Sequence, residues 1–210
     1  MSYGRTRMRF TERMDGHFAF DEVDPVTGEE AGRRAGRTIS FVLTISTDDL
    51  DAFIADPDHD AVAHGVVLCD ELGGRLPVQE GRFNLFVTEG PRARRMLYLL
   101  HFADGVGHPL TLRGHKEIVG GPLPEVWPQT STLYTQLLQG HVGHEDDAPV
   151  VGAGVIHILP WRFAKQLTTF RFGGPGPFPT GSAAAAFARL FAGELWNSFV
   201  APIPVLGPRA

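Results

Sequence analysis

Two charged residues sit where apolar ones are expected. In the run Met8 to Phe20, Met8, Phe10, Met14, Gly16, Phe18 and Phe20 occupy alternate positions, and Glu12 falls among them. Arg7, Arg9, Thr11, Arg13, Asp15 and His17 occupy the other face. A period of two marks a strand with one buried face, so Glu12 is expected to point inward. Lys116 repeats the anomaly, sharing its face with Leu110, Leu112, Gly114 and Ile118. A buried charge is costly alone, so the two are expected to pair. Two chemistries suit such a pair. It can be an ion pair that holds the strands in register, or a ligand-facing acid and base, each tuned by the other. Burial raises a carboxylate's pKa and a nearby ammonium lowers it. Gly16 and Gly114, on the same inner faces, are expected to leave room for a ligand beside the charges.

A third group depends on direction. In the Thr-rich run Trp127 to Leu138, Thr130, Thr132, Tyr134 and Gln136 share one face, and Ser131, Leu133, Thr135 and Leu137 the other. The second face is the more apolar. If Tyr134 nevertheless faces inward, its hydroxyl can donate to a substrate carbonyl or stabilise an enolate. Glu12, Lys116 and Tyr134 are therefore the candidate catalytic residues. Phe10, Met14, Phe41, Tyr98, Trp127 and Thr132 are the candidate substrate-binding wall.

The elements that must position these residues are mostly strands. After Met8–Phe20, a Gly- and Asp-rich stretch from Asp21 to Gly36 reads as a loop. A second strand carries Ile39, Phe41, Leu43 and Ile45 on one face. Thr47-Asp48-Asp49 then opens a short helix through Leu50, Phe53 and Ile54, which Asp56-Pro57 stops. Further strands are expected over His64–Cys69, Leu76–Val87, Met96–Phe102, His108–Val119, Trp127–Leu138 and Val150–Leu159. About eight strands joined by short turns favour an all-β antiparallel barrel or sandwich, and the barrel is lipocalin-like by fold analogy only. Pro160 opens a helix, and Ser182 caps another with Phe187, Leu190, Phe191, Leu195 and Phe199 in one stripe. The 210 residues thus read as a single barrel domain with a helical extension over about 160–200, its last helix packed on the barrel.

Composition narrows the function. A net charge of -5 argues against nucleic acid as partner. No apolar run reaches the roughly 20 residues of a membrane span, and no signal core opens the chain, so a cytoplasmic location is expected. Cys69 is the only cysteine. It reads as a small core residue rather than a nucleophile, because no flanking motif supports a thiolate. His141 and His144 lie in an acidic loop without the further ligands and rigid support of a zinc site, so no metal is expected. Val150 to Gly154 resembles the start of a dinucleotide fingerprint, but position 157 is His and no βαβ unit surrounds it. No cofactor is expected.

The order of several motifs carries a resemblance. FTERMDGH (Phe10 to His17), DDLDAFIADPDH (Asp48 to His59), LPVQEGRFNLF (Leu76 to Phe86), MLYLLHF (Met96 to Phe102), Gly114-His115-Lys116, the W-x-x-T-S-T-L-Y of Trp127 to Tyr134 and FAGELWN (Phe191 to Asn197) follow one another. Together they resemble an uncharacterised actinobacterial domain that also occurs fused to cholesterol-oxidase-like GMC flavoproteins. The resemblance implies an association with oxidation of sterol-like or other lipidic alcohols, and no site residues. The functional expectation is a barrel enzyme binding an apolar polyketide, isoprenoid or sterol-like molecule and performing cofactor-free acid/base chemistry such as cyclisation, isomerisation or dehydration. The alternative is a non-catalytic lipid carrier or accessory module of a separate flavoprotein oxidoreductase. Homo-oligomerisation is compatible with either.

Overall fold

A computed structural model of the chain describes residues 5–88, 93–118, 128–174 and 182–190. Its strands are β1 (Arg7–Phe20), β2 (Thr38–Thr47), β3 (Asp60–Cys69), β4 (Gly74–Pro77), β5 (Glu80–Thr88), β6 (Arg94–Ala103), β7 (Pro109–Ile118), β8 (Thr132–Gln139), β9 (Val150–His157) and β10 (Arg171–Gly173). Eight of them form a closed antiparallel barrel in the order β1-β2-β3-β5-β6-β7-β8-β9, with β9 returning to β1. The short β4 pairs with β3, and β10 with the first residues of β1. Closure removes free sheet edges, and alternation then assigns every second residue to the interior. Ile39, Phe41, Leu43 and Ile45 accordingly point inward from β2, and Met96, Tyr98, Leu100 and Phe102 from β6.

The expected run Leu76–Val87 divides into β4 and β5. A bulge between Asn84 and Val87 breaks the second, and Phe86 there adopts a φ of 58°. The bulge buries Leu85 and Phe86 in succession, which strict alternation would not allow.

The stretch Asp21–Gly36, expected as a loop, instead contains the helix Pro25–Ala35. Its punctuation is regular. Asp24 accepts from Thr27 N, Pro25 occupies the first turn, and Gly36 closes the helix in the left-handed region at φ 69°. Gly28 and Gly32 hide it from a hydropathy reading, because the buried face carries no side chains. A Cβ on Gly28 would lie 2.1 Å from Ala153 O, and one on Gly32 2.2 Å from Phe18 O. The helix thus lies backbone to backbone on the outside of β1 and β9.

Helix Leu50–Ala55, helix Pro160–Leu167 and helical residues 182–190 lie at one end of the barrel. The short helix Leu50–Ala55 follows β2, with Asp49 accepting from Ala52 N. Helix Pro160–Leu167 follows β9, with Pro in its first turn. Helical residues 182–190 bring Phe187 onto Phe170 and Phe172, at ring separations of 5.4 and 6.3 Å. Phe191, Leu195 and Phe199 lie outside the described residues. No helix among the described residues is long and apolar enough to cross a membrane.

Candidate functional site

Glu12 and Lys116 meet inside the barrel. Both are almost wholly buried, at 3% and 2% exposure, and Lys116 Nζ lies 3.7 Å from Glu12 Oε2. Neither strand neighbours the other in the sheet, so the pair spans the interior from β1 to β7. The separation is that of an ion pair without a hydrogen bond. Two other side chains satisfy the carboxylate. Tyr98, on β6, donates its hydroxyl to Glu12 Oε1 at 2.8 Å. Gln166, on helix Pro160–Leu167, donates from Nε2 to Glu12 Oε2 at 3.1 Å. Lys116 Nζ also stands 5.2 Å from the centre of the Tyr98 ring, within cation–π range.

Burial sets the proton affinities of the cluster. It depresses the Lys116 ammonium below the usual lysine value, and the Glu12 carboxylate opposes that shift only in part. Burial, and then the Glu12 charge, push the Tyr98 phenol well above its ordinary value. Tyr98 is therefore a hydrogen-bond donor across the physiological range.

The cluster forms the floor of a cavity of about 550 Å³. Phe10, Phe83, Leu85 and Met96 line it from the strands. Phe163, Gln166, Leu167 and Phe170 line it from the helix after β9 and the segment beyond, and Ala184, Phe187 and Ala188 from residues 182–190. The walls are apolar apart from the floor and Thr130, an arrangement typical of small-molecule sites. A cleft of about 700 Å³ lies on the outside, between β1, the end of β2 and β10, lined by Arg7, Arg9, Asp48 and Arg171. It holds no buried charge, so the interior cavity is the stronger site.

Of the expected residues, Glu12, Lys116, Phe10 and Tyr98 come together around this cavity. Met14 and Phe41 are fully buried, but they pack in the filled part of the barrel and do not line the space. Tyr134 and Thr132 stand on the outer face. Tyr134 tilts against His115, its neighbour in the β7–β8 register, and Thr132 lies 3.3 Å from His157 Nδ1. The donor role conceived for Tyr134 belongs by position to Tyr98, because the apolar face of β8 (Leu133, Thr135, Leu137) takes the interior. Trp127 lies outside the described residues.

The glycines also act differently from expectation. A Cβ on Gly16 would fall 2.0 Å from Val155 O, where β1 and β9 close the barrel. The space in front of Gly114 is taken by Leu133, at 3.1 Å. Neither glycine opens the cavity. The space arises because helices and aromatic rings span that end of the barrel without filling it.

Gln166 escapes a sequence reading based on strands. Its signal was helical: Phe163, Gln166, Leu167 and Phe170 recur at i, i+3, i+4 and i+7, which sets one amide in an apolar stripe. Cys69 is buried and its thiol is pushed up to about 12, chiefly by desolvation, which leaves it no thiolate at neutral pH. Among the described residues no three His, Cys, Asp or Glu side chains group as metal ligands.

No known family matches the chain, and neither does any curated protein or solved structure.

Proposed function

We propose that the barrel binds one apolar small molecule in the 550 Å³ cavity, with the polar end of the ligand on the Glu12–Lys116–Tyr98–Gln166 floor. The observation that carries this reading is the junction of an apolar space with buried, hydrogen-bonded charge. A core meant only to be stable would close over an ion pair, since packed apolar residues serve stability at least as well. Polyketide, isoprenoid and sterol-like skeletons suit walls of this kind. The test is a titration with the apolar dye N-phenyl-1-naphthylamine. Wild-type protein is expected to bind it, and Ala184→Trp, at a half-buried position that lines the cavity, to lose it while staying folded. Failure of folded wild type to bind this or any other apolar probe rejects the proposal.

A catalytic reading of the same cavity is favoured by the unequal proton affinities on its floor. A phenol held protonated and a lysine with a weakened ammonium flank one carboxylate, and groups driven apart in this way serve as acid and base. Here Glu12 takes a proton from the ligand and Lys116 returns one. The single Tyr98 hydroxyl hydrogen, held by the Glu12 carboxylate at rest, turns to developing negative charge once Glu12 is protonated, which suits isomerisation, cyclisation or dehydration without a cofactor. In the carrier form of the proposal, which includes service to a separate flavoprotein oxidoreductase, the pair is structural. Glu12→Gln separates the two. Lost turnover with retained dye binding supports catalysis, and unchanged turnover excludes it.

A further inference from the structure

From Gln166 we infer that the cavity, read as above as a binding site, selects a neutral apolar alcohol over the corresponding ketone or hydrocarbon. Gln166 is 9% exposed. Its Nε2 is committed to Glu12 Oε2, while its Oε1 is buried with no hydrogen-bond partner among the described residues. Exchanging the two ends of the amide would set oxygen against a carboxylate oxygen, so Glu12 fixes which end is left over. What is left over is an acceptor with almost no surface of its own, on a side chain that lines the cavity, so a ligand pairs with it as the amide shifts toward the space. Buried acceptors in folded proteins are nearly always satisfied, and a ligand that completes this one must bring an O–H or N–H.

Lys116 supplies the complementary half. Its Nζ approaches the same Glu12 oxygen as Gln166 Nε2, so lysine and amide stand side by side on the floor. As ammonium or amine, it donates. One hydroxyl can therefore give its hydrogen to Gln166 Oε1 and receive one from Lys116 Nζ. A carbonyl can only receive, leaving Oε1 unpaired. A cationic amine would meet Lys116, and a carboxylate ligand would meet Glu12 and offer Oε1 no hydrogen. A site built to pair with a hydroxyl discriminates strongly against analogues lacking it, because its own buried polar atom is then stranded.

Menthol, menthone and p-menthane share one skeleton and test the inference by displacement of bound N-phenyl-1-naphthylamine from full-length protein. Menthol is expected to bind about tenfold or more tightly than menthone, and menthone no more weakly than p-menthane. In Gln166→Leu the menthol preference should shrink to less than about threefold. Gln166→Met, closer in shape, provides the same comparison if the leucine variant does not fold. Equal binding of menthol and menthone by wild type overturns the hydroxyl selection while leaving the cavity reading intact. A preference undiminished in either folded variant overturns the role of Gln166. If neither the dye nor any of the three compounds binds, the cavity reading itself falls and takes this inference with it.

Discussion

Tyr98 and Glu12 meet across the barrel interior, phenol to carboxylate at 2.8 Å, from strands that are not neighbours in the sheet. The bond joins the two sides of the barrel at the depth where the cavity stops and the packed core begins. Below it, Phe41 stacks on Tyr98 at 5.7 Å. Above it, the space is lined by Phe83, which meets the same ring edge-on at 4.9 Å. The polar cluster therefore has two duties. It satisfies a buried charge, and it defines the floor on which a ligand would rest.

Lys116→Met leaves the Glu12 carboxylate buried with two neutral donors and no cation. The expected loss is about 3 kcal/mol of unfolding free energy, in line with breaking a buried pair. Adding Glu12→Gln removes the stranded charge. The double variant should be more stable than the sum of the single losses by about 1–3 kcal/mol. Urea unfolding of the four proteins checks this, and strict additivity would mean that the pair is not energetically coupled.

Tyr98→Phe keeps the ring and removes the bond to Glu12. At neutral pH the expected cost is about 2 kcal/mol, the value of a hydrogen bond to a charged acceptor. The cost should depend on pH in one direction. The Tyr98 phenol is raised in the folded protein, so its contribution is fully present below the unfolded tyrosine value of about 10. Above that value the unfolded chain loses a proton that the folded protein keeps, and wild-type stability falls. The gap between wild type and Tyr98→Phe should narrow as pH rises past about 10. A gap that stays constant or widens in denaturant titrations at increasing pH contradicts a raised phenol.

Gly28→Ala and Gly32→Ala invert an ordinary rule. Replacing glycine by alanine inside a helix usually stabilises by up to about 1 kcal/mol. Here each new methyl would meet strand backbone, at 2.1 and 2.2 Å, and backbone cannot rotate away. Each variant is expected to lose about 2 kcal/mol or more, and a thermal melt of either that matches or exceeds wild type would show that the helix can lift off the barrel at little cost.

Legibility in the sequence followed the range of the forces. Strands β1, β2, β6 and β7 could be read almost to the residue, because alternation is local and their apolar positions are regular. Helix Pro25–Ala35 was missed, although Asp24, Pro25 and Gly36 punctuate it, because its contact face is glycine and adds nothing to a hydrophobic pattern. Gln166 was missed because its importance lies in what it touches. The stripe Phe163, Gln166, Leu167 and Phe170 marks the amide as out of pattern, but only the fold makes it a partner of Glu12.

The amino-acid order by itself determined that Glu12 and Lys116 turn inward and that each requires compensation, since the face of a strand residue follows from its position in the alternation and a buried charge is costly in any fold. Tertiary structure decided the rest. Closure of β9 onto β1 brought Lys116 Nζ within 3.7 Å of Glu12 Oε2 from two strands that are not neighbours in the sheet. It chose Tyr98 over Tyr134 as the phenol, filled the space before Gly16 and Gly114, and set Gln166 over the floor. Those outcomes depend on how far apart non-adjacent strands stand and on what crosses the end of the barrel, and no local pattern in a chain encodes either.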